Sequence, residues 1–187
     1  MVRSFVDRPL PSELVERIVS NALRAPSAGF SQGWAFLVLN GHAETRRYWE
    51  AVGPADPAAF RWQHLFNAPL LIVCLSNKSA YLERYAEPDK GWTDRSESRW
   101  AAPYWDIDTG MAALLMLLTA VDAGLGGLFF GIPPDKAERF HAAFGVPPEL
   151  RPIGTLAIGY PMPRDPPSPS LRRGQRAQSE VVHRGRW

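Results

Sequence analysis

Apolar side chains fall at helical spacing over Leu14, Val15, Ile18, Ala22 and Leu23, with charged residues between them. This predicts a helix with Ser12 as N-cap and Glu13 in its first turn, and with Glu13 and Arg17 spaced to pair on the wet side. It should run into Leu23–Arg24 and stop before Pro26, because a residue preceding proline avoids the α region. Trp34–Leu39 predicts a strand closed by the turn pair Asn40-Gly41. Ala43–Val52 predicts a helix broken by Pro54 and Pro57, and Ala58–Phe66 predicts another. Leu70–Leu75 is a continuous apolar run with β-branched members, the pattern of a strand buried on both faces.

The pattern then changes character. Residues 78–103 are polar and charged, yet carry Tyr81, Tyr85, Trp92 and Trp100. A structureless loop of that length is unusual in a compact domain, so the segment either holds a helix near Ala80–Tyr85 or forms a lid closed by its aromatics. A third option is that the rings only cover the domain's own core. Next comes a helix over Asp106–Asp122, with about thirteen uncharged residues between Asp108 and Asp122. That run is shorter than the ~20 apolar residues of a bilayer span. A helix apolar all round needs cover all round, and a second copy of the chain is the favoured cover. Leu125–Phe130 predicts a strand after a Gly124 cap, Pro134–Phe144 a helix ended by Gly145, and Ile153–Tyr160 a last strand. The proline-rich run 163–169 precludes regular structure. The whole reads as one layered α/β (α+β) domain over 1–163, with 78–103 as insert and 164–187 as an extension.

Bulk composition changes this little. A chain of 187 residues with a net charge of +2 is ordinary for one globular domain and gives no reason to expect nucleic acid. Arg172, Arg173, Arg176, Arg184 and Arg186 concentrate positive charge at the end. The lone Cys74 excludes a disulfide framework and fits a reducing, cytoplasmic setting; no export signal opens the chain.

Most catalytic motifs are missing. The glycines of 124–131 follow a helix and precede a strand, the reverse of the dinucleotide fingerprint. No phosphate-binding P-loop or nucleophile elbow occurs, and the four histidines lack metal-ligand spacing, so no metal site is expected. The absence of a protein nucleophile is consistent with a cofactor that carries the chemistry.

Several segments, in order, resemble the nitroreductase family. They are Arg3-Ser4-Phe5 with Arg8-Pro9-Leu10, the turn Ala25–Phe36, Asp106–Ala112 continuing to Ala123–Gly126, Ile153–Pro161, and the ending Glu180–Trp187. The resemblance implies an FMN-binding fold with a mainly antiparallel central sheet flanked by helices, and a long buried helix at a homodimer interface. It also implies flavin chemistry, with NADH or NADPH as reductant and a small molecule, nitroaromatic or quinone-like, as acceptor. Arg3 and Ser4 would lie near the flavin, Arg3 at the N1–O2 edge. Pro26, Ser27, Ala28, Phe30 and Gln32 would form the turn beside it. Phe130 and Gly131 would face N5, and Arg173 or Arg176 would reach the phosphate. No side chain is expected to act as a dedicated catalytic acid or base.

Three departures stand out. The family's first Arg-Ser pair would precede Arg3, where the sequence has Met1-Val2; one lost charged contact would weaken FMN binding roughly ten- to a hundredfold. Phe30 stands for an asparagine and Gly33 for a proline, which would loosen the turn. Phenylalanine at the first position is shared with dimethylbenzimidazole synthases, which fragment their flavin. The alternatives are therefore an enzyme of that type, or a non-catalytic relative that binds an anionic partner through its arginine-rich tail.

Overall fold

A computed structural model describes all residues 1–187. Helix α1 spans Ser12–Ala22, followed by strand β1 (Trp34–Asn40), helix α2 (His42–Val52), strand β2 (Leu70–Asn77) and helix α3 (Lys78–Ala86). Then come the long helix α4 (Tyr104–Asp122), strand β3 (Gly126–Phe130), helix α5 (Ala137–Phe144), strand β4 (Leu150–Gly159) and the one-turn helix α6 (Gln178–Val181).

The four strands form one sheet in the order β1-β2-β4-β3, and every neighbouring pair is antiparallel. β2 lies in its interior, as its unbroken apolar run requires, and its side chains alternate between two cores. Leu70, Ile72 and Cys74 pack on α1 and α4, while Leu71, Val73 and Leu75 face the side covered by α2 and α5. The result is a sheet between two helical layers.

Several elements differ from their predicted form. α1 takes its cap from Pro11, whose carbonyl accepts from Leu14 and Val15, so Ser12 is the first helical residue and makes no cap bond. Leu23, past the last turn, is exposed. Residues 58–66 do not form an α-helix. Asp56 Oδ1 accepts from the amides of Ala58 and Ala59, and only Gln63–Asn67 winds, as a 3₁₀ turn. Aromatic packing shapes that loop: Phe60 meets both Trp62 and Phe66. The insert begins with α3, capped by the Asn77 side chain, which accepts from the Ala80 amide. Its rings pack on one another, with Trp100 against Tyr81, Tyr85, Trp92 and Trp105. Arg99 to Asp94 and Arg84 to Asp89 tie the loop outside them.

α4 has 19 residues and begins before Asp106; by length and composition alone it could cross a membrane. In this fold one face packs on α1 and the sheet through Ala112, Ala113, Met116 and Ala120. The opposite face is not covered within the protomer. Ile107, Leu114, Leu118 and Val121 are exposed there, with Met111 half-buried. Their spacing of four, three, four and three residues is the seam of a two-helix contact.

The extension beyond 163 lies on the outside, with a 3₁₀ turn at Pro169–Arg173 and α6, and nearly every residue exposed. A hydrogen bond ties it to the body: Asp165 Oδ2 accepts from the Arg3 amide at 3.0 Å.

Candidate functional site

The predicted site residues fall into two groups. The first surrounds a cavity of about 420 Å³ at the end of β3. Arg3, Phe130 and Gly131 line it together with Tyr48, Trp49, Phe60, Trp62 and Lys136. β3 places Phe130 opposite Thr155 as its last ladder pair, and Gly131 follows with open space where a Cβ would project. The opening segment runs beside the start of β3, where the Val2 amide donates to the Gly127 carbonyl. That path carries the Arg3 guanidinium over the Trp62 ring, 5.4 Å from its centre. Ser4 is buried, its carbonyl accepting from Met162, and it does not line the cavity.

Aromatic stacking builds the walls. Trp49 lies parallel to Phe130 with centres 5.6 Å apart and meets Phe66 edge-on. Beneath them the Tyr48 hydroxyl hydrogen-bonds to Thr155 at 2.8 Å, and burial raises its pKa. The indole N–H groups of Trp49 and Trp62 are buried without a hydrogen-bond partner. A guanidinium at the edge of aromatic walls, with open space at Gly131, suits a planar ligand that carries acceptor atoms. The residues present therefore fit a flavin ring.

The second group is the turn after α1. Ser27 Oγ accepts from the Gln32 amide at 2.8 Å, and the Ala28 amide donates to Asp108 Oδ2 at 2.7 Å. The same Asp108 oxygen accepts from the Tyr81 hydroxyl at 2.8 Å, which also lies 3.4 Å from Ser27 Oγ. Burial is the main cause that raises the Tyr81 pKa. The turn's hydroxyl and this amide are therefore used inside the protein rather than offered to a ligand. What faces outward is Pro26, the Phe30 ring and the Gln32 side chain.

The insert holds this turn rigidly. A Cβ on Gly29 would stand 2.6 Å from the Tyr85 ring, and one on Gly33 2.5 Å from the Tyr81 ring. Arg84 Nε adds a bond to the Gly29 carbonyl at 2.9 Å. The glycine at 33 thus makes room for Tyr81 and does not loosen the turn. Residues 78–103 are a buttress with an aromatic interior, not an open flap.

None of the turn residues lines the Arg3 cavity. Nor do Arg173 and Arg176, which are exposed, Arg176 paired with Glu180 at 3.3 Å. The protomer brings together Arg3, Phe130 and Gly131 and leaves the other predicted residues elsewhere. Sequence reasoning missed Asp108 as an anchor, although a carboxylate opening an uncharged helix is its one signal. Trp49 and Trp62 left none. A second cavity of about 540 Å³, bounded by Ser76, Lys78, Asp106 and Arg151, is polar, and its cations are paired: Lys78 with Glu97, Arg151 with Asp106.

An antiparallel sheet between helical layers, with a cation-edged aromatic cavity at a strand end and a bare helical stripe, defines a class of layered α/β proteins. The chain belongs to the nitroreductase family, whose model matches residues 1–160. An NADH dehydrogenase of Thermus thermophilus is 29% identical over 189 residues, covering 91% of this chain and 86% of that protein. Among solved structures, an FMN-dependent nitroreductase from Clostridium difficile matches with a TM-score of 0.67 at 19% identity, covering 100% and 94% of the two chains. A nitroreductase-like protein from Streptococcus mutans matches with a TM-score of 0.71 at 15% identity, over 97% and 92%.

Proposed function

We propose that the protein is an FMN-dependent oxidoreductase that acts as a homodimer, using NADH or NADPH to reduce small nitroaromatic or quinone-like acceptors in alternating half-reactions. The observation that carries this reading is the cavity at the end of β3, lined by Arg3, Gly131 and the aromatic rings of Trp49, Phe60 and Trp62. FMN, when bound there, supplies a ring that takes up and releases hydride.

The chain's own residues have four tasks. Arg3 places positive charge at the cavity edge, where it favours an electron-rich reduced ligand. Phe130 and Gly131 present main chain where β3 ends, and the open space at Gly131 permits close approach. Trp49, Phe60 and Trp62 exclude water from the ring's surroundings. The turn at 26–32 and the arginines of the extension complete the crevice from the second copy, because neither lines the cavity of its own protomer.

The exposed seam on α4 supports that assembly. Fully burying a leucine or valine is worth about 1.5–3 kcal/mol, so Leu114, Leu118 and Val121 favour a second α4 laid across them.

The test is spectroscopic. Purified protein, reconstituted with FMN if needed, is expected to show a bound-flavin visible spectrum that bleaches on anaerobic addition of NADH or NADPH and recovers with a quinone. A protein that stays colourless after FMN is added, or a bound flavin that neither nicotinamide reduces, would overturn the proposal.

A further inference from the structure

The turn carries an expense that its own protomer does not explain. Phe30 has a φ of 57° and Gln32 a φ of 51°, both in the left-handed region that a Cβ disfavours. Phe30 is also 75% exposed, and its ring stacks on none of the protein's other aromatic rings. The strained backbone costs stability, and the wetted phenyl ring returns almost none by burial. An asparagine or glycine would meet the turn's geometry at lower strain.

The geometry is firmly imposed. Asp108 holds the Ala28 amide, Ser27 holds the Gln32 amide, and Arg84 with Tyr85 clamps Gly29. Strain that the surroundings over-determine in this way concentrates at sites of function. The tether also fixes direction. Asp108 is buried one turn before Ala112, so the turn is fastened to the inner side of α4 and the Phe30 ring is left pointing outward.

From this we infer that Phe30 is a specificity-determining residue whose ring forms a wall for a planar aromatic electron acceptor. The inference rests on the flavin reading above and adds no chemical step to it: the same hydride reaches the acceptor, and Phe30 governs which acceptor docks. A neutral planar ring is the ligand this position suits. Residues 26–32 contain no cation for a dinucleotide's phosphates, and Arg84 behind them is already paired with Asp89 and Glu87.

Steady-state kinetics of the flavin-loaded protein test this with menadione and a nitrofuran as aromatic acceptors and ferricyanide as one without a ring. For Phe30→Asn the KM for both aromatic acceptors should rise about 3- to 10-fold or more, with kcat within about twofold. Ferricyanide turnover, measured with FMN in excess so that any change in flavin affinity is taken up, is the reference and should fall less than turnover of the aromatic acceptors does. The melting temperature should hold or rise by roughly 2–4 °C, because asparagine tolerates the left-handed geometry. Phe30→Tyr should restore the wild-type KM. If the asparagine variant yields no holoprotein, Phe30→Leu, which keeps the apolar bulk without the ring face, decides by the same comparison. Unchanged aromatic KM values, or an equal loss with ferricyanide, would overturn the inference while an active wild type leaves the flavin reading intact. A wild type that binds no flavin removes both.

Discussion

Three buried side chains carry protons that the folded protein holds more tightly than the open chain does. Burial pushes the Cys74 thiol up to about 12 and raises the hydroxyls of Tyr48 and Tyr81. In the unfolded chain these groups ionise near their ordinary values, roughly 8.5 for cysteine and 10 for tyrosine. Between those values and the raised ones, the native state binds more protons than the unfolded state, so stability falls as pH rises. Urea midpoints should be flat in this respect below pH ~8 and drop above pH ~9, each retained proton contributing up to about 1.4 kcal/mol per pH unit. The thiol should resist alkylation in the native protein at pH 8. A midpoint constant to pH 10.5 would contradict the burial of all three.

At the scale of elements, the contact between the insert and the turn decides how β1 begins. Asn77 donates its amide to the Gly33 carbonyl at 2.8 Å, and the Tyr81 ring occupies the place of a side chain at 33. Gly33→Ala should therefore cost about 1–3 kcal/mol and lower the melting temperature by roughly 2–10 °C. A thermal melt that matches wild type would show that the ring moves aside freely. Much of this layout was legible beforehand. The unbroken apolar run of Leu70–Leu75 marked β2, since a strand between two cores is apolar on both faces. Residues 58–66 misled because propensity there is overridden by Phe60, Trp62 and Phe66 packing on one another. The cap of α1 misled because the Pro11 carbonyl served in place of a serine hydroxyl. At the candidate site, Arg3, Phe130 and Gly131 were found through family resemblance; local spacing would not have joined them, because main-chain pairing on opposite ends of the sequence brings them together. The tie from Asp108 to Ala28 spans 80 positions, and no local pattern reports it.

The molecule as a whole has a helical layer on each side of its sheet and one bare apolar stripe on α4, which in the proposed dimer is the contact between copies. Replacing Leu118 by glutamate would set two like charges against each other across a symmetric contact, in place of apolar burial. Leu118→Glu should sediment as a folded monomer and lose bound FMN in parallel, as followed by analytical ultracentrifugation at 450 nm and 280 nm. A monomer that kept its flavin would place the whole crevice within one protomer. The separation of the β3 cavity from the 26–32 turn within a protomer bears on inheritance: in the proposed dimer, a copy crippled in its turn would harm only its neighbour's pocket, and a copy crippled at Arg3 only its own. Two such unlike defects, paired in one assembly, would leave one pocket wholly sound and gather both lesions in the other.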